Sequence, residues 1–294
     1  MTDAHCHVSC GDLSVRELLI GRDFFGVHPW ETLDGTTGAN ALLVPDVPVV
    51  PDVPFPAALQ ASLRARLLEN PKVGVGEIGL DRLKVRDISP RMREVFEAQL
   101  ALAIELGRPV VLHGAKCWGQ VVAAVKALSA CAAKSLVLPL TAGAFAATHP
   151  SSDRFRGSLC SGDMLVLSRS KAALVQGAEA PGTRFLFHGF SRSDGLIPEI
   201  VKLNGFISVG PAVLNDHAVN YRELVKKIPL DRLLVETDRT ASASPHVAMS
   251  QDSSASSSIS IFDVLAKTAD ILNISAAELE RITDENADRF LGVV

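Results

Sequence analysis

The feature that most constrains this chain is a repeated pairing. A short, unbroken apolar run ends at or near an ionisable residue, and a longer helical pattern follows. The runs are "FFGVHPW" (24–30), "VGVGEIGLD" (73–81), "PVVLHGA" (109–115), "RFLFHGF" (184–190), "GFISVG" (205–210) and "RLLVETD" (232–238). Continuous apolar runs of this length fit strands buried on both faces, as in a parallel sheet. The intervening periodicity predicts helices over 57–69, 91–106, 118–132, 164–176, 195–203, 217–227 and 261–272. The closing "SAAELERITDENADRFLG" reads as two more helical turns of packing. Strand–helix alternation from end to end predicts one α/β domain over residues 1–294. That length suits a (β/α) barrel, and a hydrophobic content of 47% supplies a large core.

The ionisable residues are nearly all histidine or carboxylate: His5 and His7, His28, Glu77, His113, His188 and Asp238. In "DAHCH" (3–7), positions i and i+2 of a strand share a face, so His5 and His7 point the same way and Cys6 points into the core. Taken alone, those five residues read better as a frayed polar terminus. In a barrel, however, the C-terminal strand ends converge on one mouth. A ring of imidazoles and carboxylates there is a metal site. Glu236, two residues before Asp238, lies on the same face one layer deeper, as a group that orients ligands.

The rest of the composition narrows the setting. Net charge is −4, so no global basic field draws in nucleic acid, and an anionic substrate must be held locally. Five scattered cysteines (Cys6, Cys10, Cys117, Cys131 and Cys160) read as reduced thiols, which predicts a cytoplasmic location, with the nucleus as a second. There is no basic-then-apolar leader, and the most apolar stretch is broken by Lys126 and Lys134, so neither secretion nor a membrane span is expected. Residues 44–56, 139–162 and 242–260 read as irregular loops, the last of them Ser-rich, and 133–183 is long enough to hold an insertion. His149, His217 and His246 read as solvent residues.

The motifs "DAHCH", "GVHPW", "VGEIGLD", "RPVVLH", "FLFHGFS", "GFISVG" and "LLVETD", in this order, resemble the TatD family of metal-dependent hydrolases and deoxyribonucleases. The closing "TDENADRFLG" is similar to that family's C-terminal helix, so the resemblance spans nearly the whole chain. It implies a TIM-type (β/α) barrel with two divalent metal ions (magnesium, zinc or manganese). His5, His7 and Asp238 look like ligands of one ion, His113 and His188 of the other, and Glu77 like a carboxylate bridging the two. Asp238 resembles the family's general base, with Glu77 the second catalytic carboxylate. His28 looks like a substrate contact, though a residue capping a turn before proline fits equally. Asp81 is either an orienting group or a loop cap.

The chain also departs from the family. "GLDRL", "HGAKC", "HGFSRS" and "ETDRTA" place Arg82, Lys116, Arg192 and Arg239 beside the ligands. Lys116, Arg192 and Arg239 are thus candidate substrate-binding cations, against the plain reading of solvated loop charge. Between "HCH" and "GVHPW" there is room for only one helix, roughly 13–20, so the barrel lacks or distorts a βα unit, or the gene model is short there. The expected activity is a phosphodiesterase acting on DNA, on single strands or ends. The alternatives are hydrolysis of a C–N or ester bond on the same architecture, and an inactive interaction protein.

Overall fold

The computed structural model describes residues 1–32, 55–83, 85–136, 182–240 and 259–293. The helix expected over 164–176, His149, His246, Cys160 and nearly all of the three irregular loops lie outside them. Among the described residues there are eight strands, in chain order β1 (Thr2–Cys6), β2 (Arg16–Leu19), β3 (Phe24–Phe25), β4 (Gly74–Asp81), β5 (Val110–Ala115), β6 (Phe185–Phe187), β7 (Gly205–Val209) and β8 (Leu233–Val235). Every paired neighbour is parallel, and β3 to β8 form one sheet in sequence order, with β1 and β2 a separate pair. The α-helices are α1 (Phe55–Glu69), α2 (Pro90–Leu106), α3 (Trp118–Leu136), α4 (Ile197–Lys202), α5 (Val219–Val225), α6 (Ile261–Leu272) and α7 (Ala276–Leu291). No helix among the described residues is long and apolar enough to cross a membrane.

The ladder is continuous from β3 to β8, and shorter sets of contacts span the two seams left in the ring. The bridge Ile20–Phe24 joins the end of β2 to β3. On the other side, Asp238 N donates to His5 O (3.0 Å) and His7 N to Arg239 O (2.8 Å), linking β1 to the chain just after β8. The buried carboxylate of Asp3 fastens the same seam, accepting from Thr237 N at 2.9 Å and Thr237 Oγ1 at 2.6 Å.

The helix expected over 13–20 is absent, and β2 stands in its place. Leu18, Leu19 and Ile20 are contiguous and buried, which suits a strand covered on both faces. β2 pairs with the edge of β1 that would otherwise be bare, and a four-residue turn then leads directly to β3. The distorted unit has therefore kept its strand and lost its helix. The C-terminal pattern is also longer than two turns. Ser275 caps α7 by accepting from Glu278 N, and a left-handed Gly292 ends it sixteen residues on.

Same-face positions on the central strands stack a polar layer on an apolar one. Val111, Leu186, Phe206 and Leu234 are each followed two residues later by His113, His188, Ser208 and Glu236. The apolar layer packs with Phe24 and with Phe290 of α7, the two rings stacked at 5.9 Å, so the C-terminal helix supplies the floor beneath the polar layer.

Burial pushes the Asp3 carboxyl up to about 6, against the pull of its bonds to Thr237. An acid whose pKa is raised on folding contributes most below its unfolded value of 3.8, and that contribution is lost as pH climbs through 6. Asp3→Asn, which can keep both contacts to Thr237, should gain stability relative to wild type between pH 4 and pH 7 by about 2–3 kcal/mol. Denaturant unfolding of both proteins at the two pH values checks this; a constant difference would contradict it.

Candidate active site

All the strand-end residues meet around the carboxylate of Glu77. That residue is the fourth of eight in β4, deeper than a strand end, and it is 2% exposed. Its two oxygens face different neighbours. Oε2 lies 3.5 Å from His5 Nε2 and 3.3 Å from His7 Nε2. Oε1 lies 2.5 Å from His113 Nδ1, 2.6 Å from His188 Nε2 and 3.6 Å from His28 Nε2. Asp238 completes the first group, its Oδ1 3.4 Å from His5 Nε2 and 3.7 Å from His7 Nε2.

Local backbone irregularity aims these side chains. Pairing slips register between Val75 and Ile78 on β4, and between Asp3 and Cys6 on β1, so Glu77 and His5 both sit where the ladder breaks. At Gly79 a side chain would collide with the carbonyl of His113, so only glycine lets β4 approach β5 beside that ligand. Asp238 has φ of 48°, a left-handed conformation that aspartate tolerates better than most residues, and it turns the chain back just past β8.

The charges are strongly coupled. Burial would raise the Glu77 pKa, but His188, His28 and His113 hold it well below the usual carboxylate range. Burial and His188 work against a proton on His5, yet Asp238 and Glu77 prevail and push it up to about 9. Burial opposes His188 and His113 likewise; Glu77 with Glu236 in one case, and Glu77 with Asp81 in the other, raise both. Burial dominates at His28 and lowers it. A buried carboxylate is tolerated only with matching positive charge, which here comes from imidazoles.

These residues fit divalent cations. Three sets of ligand atoms lie mutually within 4.8 Å: His5, His7 and Asp238; His5, Glu77 and His188; His28, Glu77 and His113. Both ring nitrogens of His5 and Nδ1 of His188 are buried without a hydrogen bond, as expected of atoms shaped for another partner. Imidazole nitrogen mixed with carboxylate oxygen suits zinc or manganese, and magnesium prefers more oxygen. His28 is thus placed among the ligand atoms.

Behind the ring stand carboxylates that orient it. Asp81 accepts from His113 Nε2 at 2.8 Å, which turns Nδ1 of that ring toward Glu77. Glu236 is buried, accepts from Gly189 N (2.8 Å) and Ser208 Oγ (2.5 Å), and lies 3.7 Å from His188 Nδ1. Among the cations, Arg239 is committed to Glu17 at 3.2 Å and to the carbonyl of Val8, while Arg82 donates to Arg86 O. Lys116 and Arg192 are exposed, in left-handed turns, with no ion pair among the described residues. Arg192 lines a cavity of about 1030 Å³ that also takes in Glu236, Thr237 and Asp238. His217 is exposed at the rim of the same cavity.

Sequence reasoning missed three participants. Trp30 packs its ring 4.9 Å from His28 and 6.3 Å from His113; it stood in plain view in "GVHPW". Glu17, the buried partner of Arg239, was hidden inside the expected helix. Tyr221, on the cavity wall, is the only tyrosine in the chain.

Comparison with known proteins accords with this geometry. The family model described as TatD related DNase matches residues 21–292. YabD of Bacillus subtilis (strain 168), named an uncharacterized metal-dependent hydrolase, is 26% identical over 221 residues, spanning 75% of this chain and 66% of its own length. The crystal structure of YjjV, a TatD homolog from Escherichia coli K12, aligns with a TM-score of 0.57 at 20% identity over 97% of this chain and 79% of that one. A hydrolase TatD family protein from Entamoeba histolytica aligns with a TM-score of 0.54 at 16% identity, over 94% of this chain and 75% of its own. An uncharacterized amidohydrolase from Saccharomyces cerevisiae aligns with a TM-score of 0.50 at 16% identity, over 94% and 80% respectively. The chain belongs to the TatD family of metal-dependent hydrolases.

Proposed function

We propose that this protein hydrolyses phosphodiester bonds of DNA, at single strands or ends, with two divalent ions. The observation that carries the proposal is the division of labour at Glu77: one oxygen faces His5 and His7, the other His113, His188 and His28. A single carboxylate shared between two imidazole groups is the arrangement that two ions need, since imidazole offers each only one lone pair. His5, His7 and Asp238 would hold one ion, and His113 and His188 the other, with His28 beside the second group. Two ions bound there would lower the pKa of water and neutralise charge on a phosphoryl group.

The chain's own groups supply the rest. Asp238 is half-exposed and lines the cavity, whereas His5 and Glu77 are buried. It is therefore the carboxylate that an incoming water meets, and His5 and His188 keep it ionised against burial, the form a general base requires. Asp81 and Glu236 keep the rings turned inward. Lys116 and Arg192 have no competing partner among the described residues and are the cations available to a phosphate backbone. Arg239 is tied to Glu17, so its part is to secure the turn after Asp238 more than to grip substrate. The family description, TatD related DNase, favours a nucleic-acid substrate over a small ester or amide.

Purified protein reconstituted with zinc, manganese or magnesium should carry about two ions per chain and cleave single-stranded DNA, with chelation abolishing the activity. Cleavage of esters or amides but not DNA would replace the substrate class; no bound metal would overturn the reading. Glu77→Gln should lose both ions and all activity. Asp238→Asn, which keeps one ligating oxygen, should retain most of the metal while turnover falls about 10²–10⁴-fold and the acidic limb of the pH–rate profile disappears. Elemental analysis beside steady-state kinetics separates the two.

Lys116→Ala with Arg192→Ala should weaken DNA binding and flatten its salt dependence by about one unit of log–log slope per lost contact, with metal content unchanged. An unaltered slope would return both residues to ordinary loop charge.

A further inference from the structure

The ring of chemical groups around the mouth has a gap at β7. His188 follows directly on β6 and β8 leads to Asp238, but β7 between them runs through Ser208 and Val209 to Gly210, with no ionisable side chain. A residue from the following helix fills the place. Tyr221 of α5 packs against the core, and its hydroxyl accepts from Gly210 N at 3.1 Å. Gly210 and Tyr221 line the same cavity as Glu236 and Asp238, and a Cβ at position 210 would stand 3.3 Å from Glu236 Oε1. The hydroxyl thus stands just past β7, between the strands that lead to His188 and Asp238.

A phenol that accepts one hydrogen bond still has a proton to donate. Among the described residues no acceptor takes it, and Tyr221 borders open cavity. We infer that Tyr221 is a substrate-binding residue whose hydroxyl, oriented by Gly210 N, donates to one non-bridging oxygen of the scissile phosphodiester. This rests on the phosphodiesterase reading above and adds to it the atom contacted and a preference for one face of the phosphate. Burial raises the phenol pKa, and Glu236 close by does the same, so the group stays neutral and acts as a donor, neither acid nor base.

The test uses metal-loaded full-length protein and two kinds of dinucleotide probe. One is the ordinary phosphodiester. The other is the pair of methylphosphonate diastereomers, in each of which a methyl group replaces one non-bridging oxygen. Tyr221→Phe should weaken binding of the phosphodiester roughly three- to tenfold. It should leave binding of one methylphosphonate diastereomer unchanged, because that oxygen is already gone, and weaken the other. Metal content should match wild type. Equal weakening of all three probes would mean that Tyr221 only braces Gly210, and no weakening would mean that it touches nothing; either result overturns the inference alone. Wild-type protein that binds none of the probes would overturn the phosphodiesterase reading, and this contact with it.

Discussion

A carboxylate buried at the centre of a folded chain must be answered by positive charge or hydrogen bonds, and Glu77 is answered on every side. Five imidazoles reach it from four other strand ends, and their electrostatic pull more than offsets the cost of its burial. The arrangement asks much of the scaffold. His5 comes from β1 and His7 from just past it, His28 from beyond β3, His113 from β5 and His188 from just past β6. Only a parallel sheet bent into a ring brings five such strand ends to one point, so the fold and the site are two descriptions of one requirement.

The scaffold meets that requirement with departures from regularity as much as with regular structure. Register slips at β1 and β4 free His5 and Glu77 from the pleat, and Gly79 lets β5 come close. A second set of carboxylates then fixes the first: Asp81 turns His113, Glu236 stands behind His188, and Asp3 pins Thr237 beside Asp238. Beneath them an apolar layer closed by Phe290 keeps the polar layer dry from below.

The repeated apolar runs made the strands from β3 onward legible, because burial on both faces leaves an unmistakable pattern, and the same runs carried the ionisable residues that converge. Family motifs added what pattern alone could not: which histidines belong together and that Glu77 lies between them. What sequence could not reveal depended on space. "VRELLI" contains a strand that local periodicity reads as a helix, since its strand character comes from the bare edge of β1. Arg239 looked like a free cation, but Glu17, 222 positions earlier in the chain, is its partner in the fold. Tyr221 carries no motif, and only the cavity shows what it borders.

The seam between β1 and β8 bears on how the molecule comes into being. Asp3 and Thr237 are 234 positions apart, and Arg16 meets Asp288 across 272. During synthesis the first strand emerges with two of its histidines long before the strand that must lie against it, and the floor residue Phe290 emerges later still. A growing chain therefore holds His5 and His7 before the residues that complete the candidate metal site. Hydrolytic chemistry is thus withheld until translation has delivered Asp238 and the helix that floors the site.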